Sequence, residues 1–155
     1  MMALDDLLSP QGVIPNLRAC CKREALQVLA ERASEITGRP ESDIMETLLE
    51  REQLGSTGVG DGVALPHGKM ENLNKIVGVL ARLETPVSFD ALDDQPVDLI
   101  FMLLAPANAT AAHLKALAKV SRLFRDPEAR EALRNADTAE ALFAIATAEQ
   151  KHHAA

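Results

Sequence analysis

Gly55-Ser56-Thr57-Gly58-Val59-Gly60-Asp61-Gly62-Val63-Ala64-Leu65-Pro66-His67-Gly68-Lys69 is the stretch around which the rest of the chain is organised. Four of the chain's eight glycines fall at positions 55, 58, 60 and 62. Glycine permits positive φ and close backbone approach, so this spacing predicts a loop with exposed N–H groups rather than a helix or strand. Val63-Ala64-Leu65 then reads as a short strand. Pro66 stops it and holds Leu65 extended. His67 therefore stands just past a strand end on a stiff support, with Gly68 leaving room beside it.

Familiar phosphate cradles do not fit. A Walker loop needs glycine five positions before Gly68 and Ser or Thr after Lys69, but Val63 and Met70 stand there. No Gly-x-Gly-x-x-Gly fingerprint is present. Leu54 occupies the place of the first glycine of a serine elbow around Ser56.

Working outward, 155 residues with 47% apolar content predict one well-filled domain, and the polar end, 149–155, reads as a short flexible tail. Aromatics make up only 3%, without Trp or Tyr, so the core is expected to be aliphatic. The formal charge of −7 and the lack of a basic stripe argue against nucleic-acid binding. Cys20 and Cys21 are adjacent and cannot staple a fold, which reads as two reduced thiols. No apolar run spans a bilayer, and Asp5 and Asp6 stand where a signal peptide carries positive charge. A cytoplasmic protein without membrane insertion is expected.

Upstream of the loop, residues 4–8 read as a helical turn ended by Ser9-Pro10. Val13 to Leu17 reads as an edge strand, because Pro15 lacks a ladder donor. Helical spacing of Ala25, Val28, Leu29, Ala33 and Ile36 predicts a helix from Cys21 to Thr37 ended by Gly38. A second helix opens at Pro40 and ends at Gly55. Downstream, Ile76 to Leu83 alternates as a strand, Thr85-Pro86 breaks it, and Val87 to Phe89 reads as a short separate strand. Val97 to Leu104 is nearly all apolar, as in a central strand covered on both faces. A helix capped by Asn108 or Thr110 runs to about Arg125. Another starts at Asp126-Pro127, and a last one, capped by Asp137 or Thr138, runs to about Glu149. The fold class is α/β: a single domain whose mixed β-sheet is flanked by helices on both faces.

His113 lies in the first turn of the helix after strand 97–104 and shares a stripe with Leu117, Val120 and Phe124. That turn follows a strand's carboxyl end, the usual ligand side of open α/β sheets. If the strands before His67 and His113 run alike, both imidazoles meet at one rim, within reach of Arg51. Two imidazoles, a guanidinium and a loop of N–H groups suit a transferable phosphoryl group. Plainer readings stand beside this one. His113 fits a structural core histidine and Arg51 a solvated helix-end charge. Ser56 and Thr57 fit loop residues bonding their own backbone, and Asp61 a turn former. Two distant histidines without acidic neighbours make a weak metal signal.

Arg51-Glu52, Gly55-Ser56-Thr57-Gly58, Gly60 and above all Ala64-Leu65-Pro66-His67-Gly68-Lys69 resemble the signature of enzyme IIA of the mannitol/fructose class in the bacterial phosphotransferase system. Glu84 to Ala91 and Gln95 to Leu99 resemble its nitrogen-regulatory branch, and the likeness covers about residues 4–148. The resemblance implies phosphorylation of His67 on the ring nitrogen remote from Cβ. It makes Arg51 a phosphate ligand and His113 the second active-site histidine, and Ser56 and Thr57 are taken as further phosphate-binding residues. It implies a small histidine phosphocarrier protein as donor and no metal or organic cofactor. It also implies regulated targets such as potassium transporters or sensor kinases. The absence of fused membrane, enzyme IIB or phosphocarrier domains fits a free-standing regulator. A sugar-specific subunit serving an enzyme IIB, and a non-catalytic binding module with a structural His67, remain the alternatives.

Overall fold

The computed structural model describes the backbone of residues 3–154 and the side chains of residues 3–148. The tail reading for 149–155 concerns side chains outside those. Elements follow in the order α1 (Leu4–Leu7), a 3-10 turn (Pro10–Gly12), β1 (Val13–Leu17), α2 (Lys22–Thr37), α3 (Glu41–Gln53), β2 (Gly58–Gly60), β3 (Val63–Ala64) and β4 (His67–Met70). They continue with β5 (Val77–Val87), β6 (Val97–Pro106), α4 (Thr110–Arg125), α5 (Pro127–Asn135) and α6 (Ala139–Ala154). The helix over 139–154 thus extends beyond the expected end near Glu149.

The apolar run from Val97 forms the middle of the sheet. β6 pairs antiparallel with β5 on one side and parallel with β3 and β4 on the other. β1 lies parallel to β5 at one edge, where Pro15 is tolerated, and β2 closes the other edge antiparallel to β3. The expected mixed sheet is therefore present. Period-two alternation sorts β6 between two cores. Leu99, Phe101 and Leu103 pack with α1, α4, α5 and α6, while Ile100, Met102 and Leu104 pack with α2 and α3. Helices cover both faces, and β6 is buried throughout its apolar run. Among the described residues no helix is long and apolar enough to cross a membrane.

Four local expectations are corrected. The glycine-rich stretch is not an open loop: residues 58–60 form β2, and residues 60–63 turn it back onto β3. Gly62 takes φ 78° at that turn, and a Cβ there would meet the Arg134 guanidinium and the Asp98 carboxylate. Next, His67 does not lie beyond the sheet but begins β4. β3 and β4 keep one register against β6, Val63 opposite Leu99 and His67 opposite Leu103, so Leu65-Pro66 only interrupts the ladder. Thr85-Pro86 does not break β5, which runs through it with a register irregularity between Arg82 and Val87; proline is accommodated at such a bulge. Finally, neither Asn108 nor Thr110 caps α4. Its N-cap is Ala109, without a side-chain cap. The cap expected at α6 is present, with Thr138 accepting from Ala141 N–H at 3.1 Å, and α5 is capped by Asp126, which accepts from Glu128 N–H at 3.0 Å.

Candidate functional site

Alternation along β3 and β4 decides where His67 points. Val63 and Leu65 pack on the α4 side of the sheet, and His67 continues that parity toward His113 of α4. Gly68 faces the opposite side, under α3. A Cβ at 68 would run into the Thr47 methyl group, so this glycine makes room for α3 rather than for a ligand. That close approach carries the last turn of α3, with Arg51, to the edge of the His67 ring.

The His67 ring is half-buried and held at both nitrogens. Nδ1 lies 2.8 Å from the Leu65 carbonyl, which only accepts, so Nδ1 carries the proton and Nε2 is the unprotonated acceptor. Arg51 Nε–H donates to Nε2 at 3.2 Å, and Arg51 Nη1 donates to the Gly55 carbonyl at 2.9 Å. The His113 ring stands edge-on to His67, centroids 5.5 Å apart and planes at 67°. His113 is 6% exposed, and among the described residues its buried Nε2 has no hydrogen-bond partner. The two imidazoles and Arg51 thus converge on one cleft of about 410 Å³, whose rim includes Lys69, Thr110 and Leu114.

Burial pushes the His67 pKa below its ordinary value. The Arg51 charge adds to that, while the hydrogen bond to the Leu65 carbonyl and the Glu52 carboxylate oppose it. His113 is also pushed down, first by burial and then by His67 and Lys69. Both directions favour neutral imidazoles at pH 7. Lys69 Nζ lies 3.3 Å from the Thr110 hydroxyl and adds a cation to the rim. Among the described residues no group of three or more His, Cys, Asp or Glu side chains is placed to hold a metal ion.

Ser56 and Thr57 do not line this cleft. The Ser56 hydroxyl donates to the Phe89 carbonyl, and the buried Thr57 donates its hydroxyl and its N–H to Glu52. The structure brings together His67, His113 and Arg51 and leaves the two hydroxyls facing inward. Glu52 and Lys69 are the residues that sequence reasoning passed over. The signal for Glu52 was a carboxylate in a helix's last turn, where the dipole disfavours it. The signal for Lys69 was a cation two residues from His67, on the same strand face.

Residues 6–148 match the family described as "Phosphoenolpyruvate-dependent sugar phosphotransferase system, EIIA 2". The chain is 49% identical over 144 residues to a nitrogen regulatory protein of Bradyrhizobium diazoefficiens, covering 93% of this chain and 94% of that protein. Its fold superposes on the crystal structure of nitrogen regulatory protein IIA-Ntr from Neisseria meningitidis with a TM-score of 0.88 at 35% identity, covering 93% and 99% of the two chains. It also superposes on enzyme IIA of mannitol, solved with phosphorylated enzyme IIB from Escherichia coli, with a TM-score of 0.78 over 92% and 99%. There the identity is 20%, and the likeness is one of fold.

Proposed function

The chain belongs to the phosphoenolpyruvate-dependent sugar phosphotransferase system EIIA 2 family, whose members are phosphotransfer components, and from that premise we propose that His67 accepts a phosphoryl group on Nε2 and that its phosphorylation state governs partner binding. The observation that carries this reading is the fixed tautomer. Leu65 holds the Nδ1 proton, so the lone pair of Nε2 points at the cleft under the Arg51 guanidinium. The donor is a small histidine phosphocarrier protein. The His67 Nε2 lone pair forms a bond to phosphorus as the donor's P–N bond breaks. The bonding pair returns to the donor imidazole, which takes up a proton from water, and the phosphorylated His67 ring, cationic while Nδ1 keeps its proton, releases that proton to water.

Arg51 swings its donors from Nε2 to the phosphoryl oxygens, a charge-assisted contact with matched geometry. His113 offers its unpartnered Nε2 side to the same group. Transfer of this kind depends on positioning and charge stabilisation more than on bond-making groups. Ser56 and Thr57 serve the phosphate indirectly, by ordering the segment that anchors Arg51; direct contact would require them to release Phe89 and Glu52. Leu54 and Leu114, 83% and 63% exposed, stand near this cleft and supply apolar area for the donor.

The regulatory reading draws on the nitrogen regulatory protein of Bradyrhizobium. Its targets would be proteins such as potassium transporters or sensor kinases, which distinguish neutral His67 from a dianionic phosphohistidine. A second reading, onward transfer to an enzyme IIB, draws on the mannitol complex, where the likeness is of fold alone. Intact mass after incubation with phosphoenolpyruvate, enzyme I and phosphocarrier protein tests the proposal. Wild type gains one phosphoryl group and His67→Ala gains none. No gain in wild type, or equal gain in both, overturns it. Equal partner affinity of His67→Ala and His67→Asp would instead mark a binding module.

A further inference from the structure

We propose that Glu52 is a positioning residue: its carboxylate pins residues 55–57 and so keeps the neighbouring Arg51 aimed at His67. This rests on His67 as the phosphoryl acceptor. The Glu52 side chain is only 6% exposed, at the carboxyl end of α3. Helix carbonyls there repel an anion, and an interior carboxylate is costly unless its oxygens are paired. The fold therefore holds a charge in an unfavourable place, and its partners show what it does there.

Oε1 accepts from Lys22 Nζ at 3.1 Å and from Thr57 N–H at 3.2 Å, and Oε2 accepts from the Thr57 hydroxyl. Lys22, at the start of α2, also donates to the Phe89 carbonyl at 3.3 Å, the same carbonyl that Ser56 reaches. Its ammonium stands 3.6 Å from Asp90 as well. Glu52, Lys22, Phe89, Ser56 and Thr57 form a closed ring of contacts around the segment that follows α3. Fixing that segment fixes Gly55, whose carbonyl accepts Arg51 Nη1.

The arrangement also keeps Glu52 away from Arg51. Among the described residues the Arg51 guanidinium is hydrogen-bonded only to the Gly55 carbonyl and His67 Nε2, both neutral acceptors. Its charge is left for an incoming phosphoryl group. A Glu52 without Lys22 and Thr57 would be an adjacent carboxylate competing for that guanidinium.

A double-mutant cycle tests this, with initial rates measured at varied phosphocarrier concentration. Glu52→Gln in the wild-type background is expected to lower kcat about tenfold and to leave KM within about twofold, as loss of an interaction made in the transition state does. In the Arg51→Ala background the same change is expected to cost less than about twofold, because the residue through which Glu52 acts is gone. Glu52→Asp, which keeps the charge, is expected to recover part of the rate. Equal losses in both backgrounds, or none in either, overturn the positioning role. A wild-type protein that takes up no phosphoryl group overturns the acceptor reading itself, which separates the two failures. Should Glu52→Gln not fold, Thr57→Val removes one donor to Glu52 without touching a charge, and its cycle with Arg51→Ala decides by the same criteria.

Discussion

Arg51 Nε stands 3.2 Å from His67 Nε2, so the guanidinium covers the nitrogen proposed to accept phosphorus. It holds the Nε2 lone pair here, and under the proposed transfer it would release that nitrogen and hold the phosphoryl oxygens. A charged hydrogen bond is worth about 1.5–3 kcal/mol, so Arg51→Ala is expected to slow phosphorylation roughly 10- to 100-fold. The Arg51 cation depresses the His67 pKa, so its removal is also expected to move the His67 titration upward. Rapid-quench phosphorylation and an NMR titration of the ring check the two arms. An unchanged rate removes Arg51 from the site.

Acid is expected to weaken both folding and phosphoryl acceptance. His67 and His113 have folded pKa values below the ordinary histidine value of about 6.5. Below that value the unfolded chain binds protons that the folded chain still refuses. Stability therefore rises with pH in that window, is fully present above about 6.5, and falls as pH drops toward the folded pKa values. Asp93, held down first by the Asp61 amide, acts in the carboxylate range below about 4 and does not confuse the window. Urea midpoints at pH 7.5 and 5.5 measure the loss, and His67→Gln should reduce it. The proposed nucleophile is neutral Nε2, and burial should bring the His67 ring titration below the ordinary range. A midpoint at or above about 6.5 contradicts this.

The parts of the fold legible in the sequence are those written in local pattern. The apolar run from Val97 announced a strand covered on both faces, and Pro15 announced an edge. His113 on the stripe with Val120 and Phe124 announced a histidine turned toward the sheet. What stayed hidden depends on neighbours far along the chain. Gly58 is crowded by Ala91, and Gly62 by Asp98 and Arg134, so the glycine-rich stretch answers packing constraints that its own sequence does not mention. Ser56 and Thr57 turn inward because Phe89 and Glu52 offer acceptors there. Glu52 is tolerated because Lys22, thirty residues away, reaches it.

Gly68 provides a test of how α3 is held over the site. Any side chain at 68 meets the Thr47 methyl group, and overpacking of this kind costs about 1–3 kcal/mol. Gly68→Ala is expected to lower stability by that amount and to lower the phosphorylation rate by displacing the turn that carries Arg51. Thr47→Ala, which removes the offending methyl, should restore most of the stability in the double variant. Equilibrium urea unfolding of the four proteins measures both effects. A double variant no more stable than Gly68→Ala would place the strain elsewhere.

His113 is where folding and phosphoryl transfer should pull in opposite directions. Its Nε2 is buried with no partner among the described residues, a desolvation cost of about 1–3 kcal/mol. The ring otherwise sits among apolar neighbours of α4 and edge-on to His67. His113→Leu keeps comparable bulk and removes the orphaned nitrogen, so stability should hold or rise. Phosphoryl acceptance should nonetheless drop, because the cleft loses the second imidazole proposed to meet the phosphoryl group. Residues retained for function at the expense of stability behave in this way, whereas a purely structural histidine would lose stability and leave the rate alone. Thermal unfolding and the initial phosphorylation rate, measured on the same preparation, separate the two cases. A less stable variant with an unchanged rate would return His113 to the core.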